Sequence, residues 1–217
     1  MKVGVVVPCY RPHVKYLPDL LDSIEKQTVK PYKVVISSSS MGDAMLTIPP
    51  CSFPVELVLF VDRKNAAENR NIATSKLLDC DILSYIDADD IMHPQRIEAI
   101  VYAFGEDADI VLHSFSDNPI FEHYDSFPLI TNQLARGRTG CAIYIPDECR
   151  PGIMHSQVSV RRHIVDQVKF REEPEWEQKE DALFCGDILV CPGIKSQWIP
   201  IVLSRYVRAG VWEFKPS

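Results

Sequence analysis

Apolar residues in this chain fall into short unbroken runs that alternate with stretches of helical spacing. The run "VGVVVPCY" at the start is rich in β-branched residues, the pattern of a strand buried on both faces. In "YLPDLLDSIEKQT", Leu17, Leu20, Leu21 and Ile24 recur at helical spacing around an early Pro18. "YKVVISSSS" predicts a second strand ending in a serine loop, and "VELVLFV" a third. "NAAENRNIATSKLLD" predicts a helix, with Asn65 set to cap it and Glu68 three residues on in a capping-box arrangement. "CDILSYI" follows as a fourth strand, "PQRIEAIVYAF" as a helix beginning at Pro94, and "ADIVLHSF" as a fifth strand.

Strands alternating with helices over roughly the first 115 residues predict an α/β fold, a mostly parallel central sheet flanked by helices. Beyond Phe115 the pattern loosens into the Pro- and Gly-punctuated "SDNPIFEHYDSFPLITNQLARGRTG". Further helices are expected at "SVRRHIVDQV" and "EDALFCGDILV". No linker-like shift in composition interrupts the chain. Residues 1–217 therefore read as one domain with a nucleotide-type front half and a more variable back half.

Composition narrows the class of function. The formal net charge of −7 argues against a nucleic-acid partner held on a basic surface. No apolar run approaches the roughly 18–20 residues of an integral membrane span, and the opening strand lacks the features of a signal peptide. A cytoplasmic protein is the expectation. The seven cysteines contain no Cys-x-x-Cys pair, so neither zinc-ligand spacing nor a disulfide framework is expected.

The chemistry concentrates in "LSYIDADDIMHPQRI", where Asp87, Asp89 and Asp90 crowd the end of the fourth strand. In a doubly wound sheet, ligands bind beyond the carboxyl ends of the strands. Clustered carboxylates raise one another's pKa unless a cation or several donors hold the charged forms. Such oxygen donors suit Mg²⁺ or Mn²⁺, with water and substrate phosphate completing the shell. The plainer alternative is a helix cap from Asp89 or Asp90 with Asp87 facing solvent. On the same sheet edge, Tyr10 or Arg11 of the Pro-x-Tyr-Arg turn is placed to lie against a flat base; the alternative is a surface turn. Arg70 is placed to approach phosphate or base, or is simply a solvated helix charge.

Taken in order, "VVVPCYRP…LPDLLDSIEKQT…PYKVVI", "NAAENRNIA" and "DILSYIDADDIMHPQRI" resemble the nucleotide-sugar domain of inverting family-2 glycosyltransferases of the GT-A fold. "SVRRHIVDQVKFREEPEWEQKEDALF" (159–184) is similar to that family's acceptor-side region. The resemblance implies a nucleotide-diphosphate sugar donor, most simply a UDP-sugar, and a glycan, lipid or protein-linked acceptor. It implies Pro8, Tyr10, Arg11, Ser37, Ser38, Asn65, Arg70, Asp87 and Ala88 for nucleotide-sugar binding. Asp89 with Asp87 would ligate Mn²⁺ or Mg²⁺, Asp90 supporting them. Asp181 matches the general base, and Glu180 its substitute or orienter; without the resemblance, Asp181 reads as a helix cap.

The chain departs from the family pattern in four ways, one being the absence of Gly from the turn at 65–67. "Ser37-Ser38-Ser39-Ser40" replaces the usual acidic stretch that reads the base. No histidine follows His163 to act as a late metal ligand, which leaves His155 facing the site or merely packed. The chain is also short, either a minimal enzyme or one domain of a longer protein. Trp176 reads equally as a sugar-stacking platform or a loop anchor. Two rival functions are a sugar-nucleotide nucleotidyltransferase, whose Gly-rich basic phosphate loop is missing here, and a non-catalytic nucleotide-sugar-binding module.

Overall fold

The computed structural model describes residues 1–41, 46–117, 120–145 and 153–207. The chain opens with β1 (Val3–Tyr10), a 3₁₀ turn (Arg11–Tyr16) and α1 (Leu17–Glu25), followed by β2 (Lys33–Ser39) and β3 (Val55–Leu59). Next come α2 (Ala66–Thr74), β4 (Ile82–Tyr85), the short β5 (Ile91–Met92), α3 (Arg96–Gly105) and β6 (Ile110–Ser116). The back half contributes β7 (Ile130–Thr131), β8 (Leu134–Arg136), β9 (Ala142–Tyr144), β10 (Ser159–Arg161) and α4 (Arg162–Val165). A 3₁₀ turn (Pro174–Trp176), α5 (Glu180–Leu189) and β11 (Ser196–Arg205) complete the described elements.

Eight strands run in the order β3-β2-β1-β4-β10-β6-β11-β5, with β7 added beside β11, and β8 and β9 form a separate hairpin. The β3–β2–β1–β4 half is parallel throughout. β10 then inserts antiparallel between β4 and β6. Both halves of the chain thus share one sheet. Helices on both faces explain the unbroken apolar run of β1. Val3, Val5 and Val7 join a core with Leu17, Leu20, Leu21 and Ile24 of α1 and Ile97, Ile100 and Phe104 of α3. Val6 faces the other way, into a core with Ala67 and Ala73 of α2 and Phe184, Cys185 and Ile188 of α5. Among the described residues no helix is long and apolar enough to cross a membrane.

Two expectations need correction. The helix expected over "SVRRHIVDQV" survives only as the single turn Arg162–Val165, because Ser159–Arg161 is spent as strand β10. There the Ser159 hydroxyl donates to Ser84 Oγ of β4 at 3.0 Å, a small polar contact suited to a tightly filled sheet centre. The helix expected from Pro94 starts two residues later, at Arg96. Its N-terminal approach is held by His93, whose carbonyl accepts from Arg96 N–H at 2.9 Å.

Helix α5 is seated by backbone contact with the turn that closes the β8–β9 hairpin. A methyl group placed on Gly186 would lie 1.8 Å from the carbonyl oxygen of Gly140, itself at φ +87°. Glycine is required at 186 for that approach. Gly186→Ala is expected to cost about 3 kcal/mol, the upper end of ordinary overpacking. That corresponds to roughly 6–12 °C in Tm for a chain of this size. Thermal unfolding measures it; an unchanged Tm would mean that the turn retreats from the helix without cost.

Candidate functional site

The parallel strands β1, β2 and β4 end on one edge, with Tyr10 in register with Ser39 and Val6 with Tyr85. Beyond β4 the chain turns sharply. Ile86 N–H donates to Val6 O at 3.1 Å, and Asp90 N–H donates to Asp87 O at 3.1 Å. This tight turn sends its three carboxylates in three directions.

Asp87 points towards α2, where Arg70 Nη2 donates to its Oδ1 at 2.8 Å. The other end of the same guanidinium donates to Glu180 Oε1 at 2.7 Å. Arg70 is only 3% exposed and lies 5.2 Å from the Phe170 ring centre. Burial disfavours its charge, yet Asp87 and Glu180 hold its pKa above the ordinary arginine value. A buried guanidinium with a carboxylate at each end joins the acidic turn to the first turn of α5.

Asp90 turns inward and is fully buried. Its Oδ1 accepts Val207 N–H at 3.1 Å, and Gln157 Nε2 donates to its Oδ2. Burial first, then the charges of Asp87 and Asp89, push its carboxyl well above the usual range. Asp90 therefore ties the exit of β11 to the acidic turn from below. The buried Arg96 occupies the same region, donating to Tyr85 O at 2.6 Å and Ser84 Oγ at 3.2 Å.

Asp89 faces the 3₁₀ turn after β1, with its Oδ2 3.8 Å from His13 Nδ1. The His13 ring packs 4.3 Å from that of Tyr10. Burial, with the charge of Asp87 second, raises the Asp89 carboxyl to about 6. Burial lowers the pKa of His13, opposed by Asp87.

Asp181 follows Glu180 at the start of α5, its Oδ1 accepting Ala182 N–H at 2.6 Å. Burial raises its pKa, Arg70 opposes, and the charge of Glu180 adds to the rise. A carboxylate poised upward in this way is suited to accept a proton. His155 also acts on Asp181 electrostatically, while its own Nε2 donates to Ala142 O at 3.1 Å.

Other expected site residues are differently employed. Tyr10 and Arg11 are exposed at the sheet edge, whereas Pro8 and Ala88 are buried in the chain's own packing. Ser37 and Ser38 do not offer their hydroxyls to a base: both are fully buried, donating to Asn69 Oδ1 at 2.9 Å and Met41 Sδ at 3.1 Å. Arg70, expected to contact the nucleotide, lies beneath the site with both ends of its guanidinium bonded to carboxylates, Asp87 and Glu180. Asn65 caps α2 in the expected capping box, and its Nδ2 donates to Glu172 O at 2.7 Å. Trp176 anchors its loop, with the Arg171 guanidinium 5.3 Å from its ring centre.

Two residues that the sequence reading missed are Asn69 and Asn71. Asn71 Nδ2 donates to Phe170 O at 2.8 Å, and Phe170 N–H returns a bond to its Oδ1 at 3.1 Å. With Asn65 and Arg70, Asn71 fastens the segment 170–180 along α2. The only signal in the sequence was the recurrence of asparagine in "NAAENRN".

Mg²⁺ and Mn²⁺ are commonly held by one or two carboxylates plus water and phosphate. The half-buried Asp89 carboxylate, raised in pKa beside Asp87, has the chemistry such an ion relieves. Among the described residues, no group of three His, Cys, Asp or Glu gathers closely enough to hold a metal unaided. The donors fit an ion whose shell a ligand completes.

Residues 4–140 match the family described as glycosyl transferase family 2. The O-antigen chain rhamnosyltransferase RfbN of Salmonella typhimurium is 31% identical over 110 residues, covering 49% of this chain and 34% of that protein. An uncharacterised glycosyltransferase of Haemophilus influenzae is 28% identical over 110 residues, covering 50% of this chain and 36% of that protein. Each aligned stretch spans about a third of the relative's length. Among solved structures, S. aureus TarS 1-349 in complex with UDP-GlcNAc superposes with a TM-score of 0.69 at 14% identity, covering all of this chain and 61% of that one. TarS 1-349 in complex with UDP gives a TM-score of 0.65 at 15% identity, covering 94% and 60%. At these identities the superposition speaks for a shared GT-A type fold.

Two measurements test this electrostatic arrangement. Arg70→Ala leaves Glu180 buried without its partner and is expected to cost about 3–5 kcal/mol in urea unfolding; a loss below about 1 kcal/mol would mean that the bridge is solvated and dispensable. The second concerns Asp89, whose folded pKa near 6 exceeds the unfolded value of about 3.9. The native state therefore holds the proton more tightly. Stability falls as pH rises from about 4 to about 6 and stays lowered above that. Asp89→Asn removes that loss, so the ligand-free variant should be more stable than wild type at pH 7 by about 2–3 kcal/mol. The gain should vanish below about pH 4; a gain independent of pH would locate its cause elsewhere.

Proposed function

Because the chain belongs to glycosyl transferase family 2, matched over residues 4–140, we propose that it transfers a sugar from a nucleoside-diphosphate donor, a UDP-sugar, to an acceptor hydroxyl with inversion. On this reading residues 1–115 form the nucleotide-sugar half of a single cytoplasmic domain and residues 116–217 the acceptor half. The acceptor class is a glycan, carried on lipid or protein or free. The domain works alone or within a longer protein. The UDP and UDP-GlcNAc complexes of TarS 1-349 support the choice of donor.

One observation carries the reading: Arg70 links Asp87 of the acidic turn to Glu180, the residue before Asp181. The leaving-group side and the proton-accepting side of a displacement are thereby held to one rigid element. Asp89 and Asp87 would hold Mn²⁺ or Mg²⁺. When bound, that ion supplies positive charge against the departing diphosphate. Tyr10 offers an exposed ring at the sheet edge for the base. Asp181 takes the proton of the attacking hydroxyl, and its raised pKa lessens the mismatch with an alcohol. A single in-line displacement inverts the anomeric centre, so one base suffices. Glu180, bonded to Arg70, orients rather than reacts.

Calorimetric titration with UDP and release of UDP from a panel of UDP-sugars test this together. UDP should bind at least tenfold more tightly with Mn²⁺ than with chelator, a difference of about 1.4 kcal/mol. Asp181→Asn should keep that binding and lose transfer by about 10²–10⁴-fold, the usual worth of a general base. Equal UDP affinity with chelator present would overturn the metal assignment, and undiminished turnover in the Asn variant would remove Asp181 as the base.

A further inference from the structure

The 3₁₀ turn Arg11–Tyr16 carries a histidine that neither the fold nor the packing of the core requires. His13 sits between two aromatic rings, 4.3 Å from Tyr10 and 5.9 Å, edge-on, from Tyr16. Its Nδ1 faces Asp89 Oδ2 at 3.8 Å, with the two side chains only 25% and 15% exposed. That separation is too long for a hydrogen bond. Yet it falls inside the span of about 4.2 Å that two metal–ligand bonds of about 2.1 Å can bridge. Among the described residues, neither the His13 ring nor the Asp89 carboxylate is given a hydrogen bond by another residue. Two recessed polar groups thus face one another across a gap of the width an ion occupies, and both flanking aromatics restrain the imidazole there.

The rest of the sequence sharpens the point. Among the described residues after α5, 190–207, there is no histidine. His155 already donates its Nε2 to Ala142 O.

We propose that His13 is a nitrogen ligand of the divalent cation at the acidic turn, pairing with Asp89 to form a mixed imidazole–carboxylate site that diphosphate oxygens and water complete. The inference rests on the metal reading given under the proposed function. It gives the site a selectivity that carboxylates alone lack. Oxygen donors suit Mg²⁺ as well as Mn²⁺, whereas an imidazole favours metals later in the first transition series. His13 therefore tilts the site away from Mg²⁺ towards first-row transition ions, Mn²⁺ gaining least and Co²⁺ more.

Pulsed electron paramagnetic resonance of Mn²⁺ bound to the full chain with UDP reads this without reference to turnover. Wild type should show ¹⁴N modulation from a directly bound imidazole, and both His13→Ala and His13→Gln should lose it. Calorimetry should show the preference for Mn²⁺ over Mg²⁺ falling at least tenfold in His13→Gln, which retains bulk and an oxygen donor. Tenfold is the lower end of what even an outer-shell partner is worth to a metal site. Unchanged thermal unfolding of the Gln variant separates lost ligation from lost fold; if that variant unfolds early, the ¹⁴N signal of wild type decides alone. Asp89→Asn serves as the reference for the metal itself. If wild type with UDP binds no Mn²⁺, the metal reading fails and takes the inference with it. If wild type binds Mn²⁺ and Asp89→Asn does not, but no nitrogen modulation appears and His13→Gln keeps the Mn²⁺ preference, His13 alone is overturned.

Discussion

Arg70 is the constraint on which the site depends. A guanidinium at 3% exposure has lost nearly all its hydration, and only carboxylates placed at both ends of its planar fork make that position tenable. Asp87 and Glu180 meet that demand at 2.8 and 2.7 Å. They come from elements far apart in sequence, one from the turn after β4 and one from the start of α5. The demand is reciprocal. Asp87, Glu180 and Asp181 would repel one another across the same space without a fixed positive charge among them, and Arg70 is the charge that the fold supplies. An arginine inside the protein thus holds together two acidic motifs that the sequence presents separately.

The acidic turn divides its labour by direction. Asp87 is taken by Arg70, and Asp90 is buried beneath with the end of β11 and Gln157. That leaves Asp89 as the carboxylate of the turn whose oxygens face His13 without a hydrogen-bonded partner among the described residues. Burial, and after it the charge of Asp87, raises its pKa, a cost the ligand-free protein bears and a bound cation would remove. The pattern is that of local instability concentrated at one carboxylate of the turn, while Asp87 is bonded by Arg70 and Asp90 by Val207 and Gln157.

How much of this could be read from the sequence follows from the range of each interaction. The parallel front half was legible because sheets covered on both faces demand unbroken apolar strands, and β1 and β2 are built that way. The acidic turn was legible as a location, since three aspartates end an apolar run. Their separate roles were not, because His13, Gln157 and Val207 lie 67 or more residues from their aspartates. Of these, His13 is 76 residues from Asp89 by position in the chain. Strand β10 was hidden for a different reason. Three residues show no period, and the arginines beside them read as a helix surface. The internal bonds of the serines at 37 and 38 were not legible, because a hydroxyl is equally suited to a ligand and to a buried partner; the asparagine bonded to Ser37 belongs to another element. Asn65 was read correctly as a cap, which is local, while its bond to Glu172 is not.

These long-range contacts converge on α2. Asn65 holds the carbonyl of Glu172, Asn71 brackets Phe170 with two bonds, and Arg70 holds Glu180, so three side chains of one capped helix region fix the approach to Asp181. From the other side, the Gly186–Gly140 contact fixes α5 at backbone distance against the β8–β9 hairpin, leaving no room for a methyl group. Helix α5 is therefore clamped between a polar face that sets its N-terminus and a backbone face that sets its depth. Shifting it along its axis would break the Arg70 bridge, and moving it away from the hairpin would open the core around Phe184. A carboxylate at its first turn gains its position from both restraints. Asp181 is consequently held more firmly than its own single short-range hydrogen bond to Ala182 could achieve.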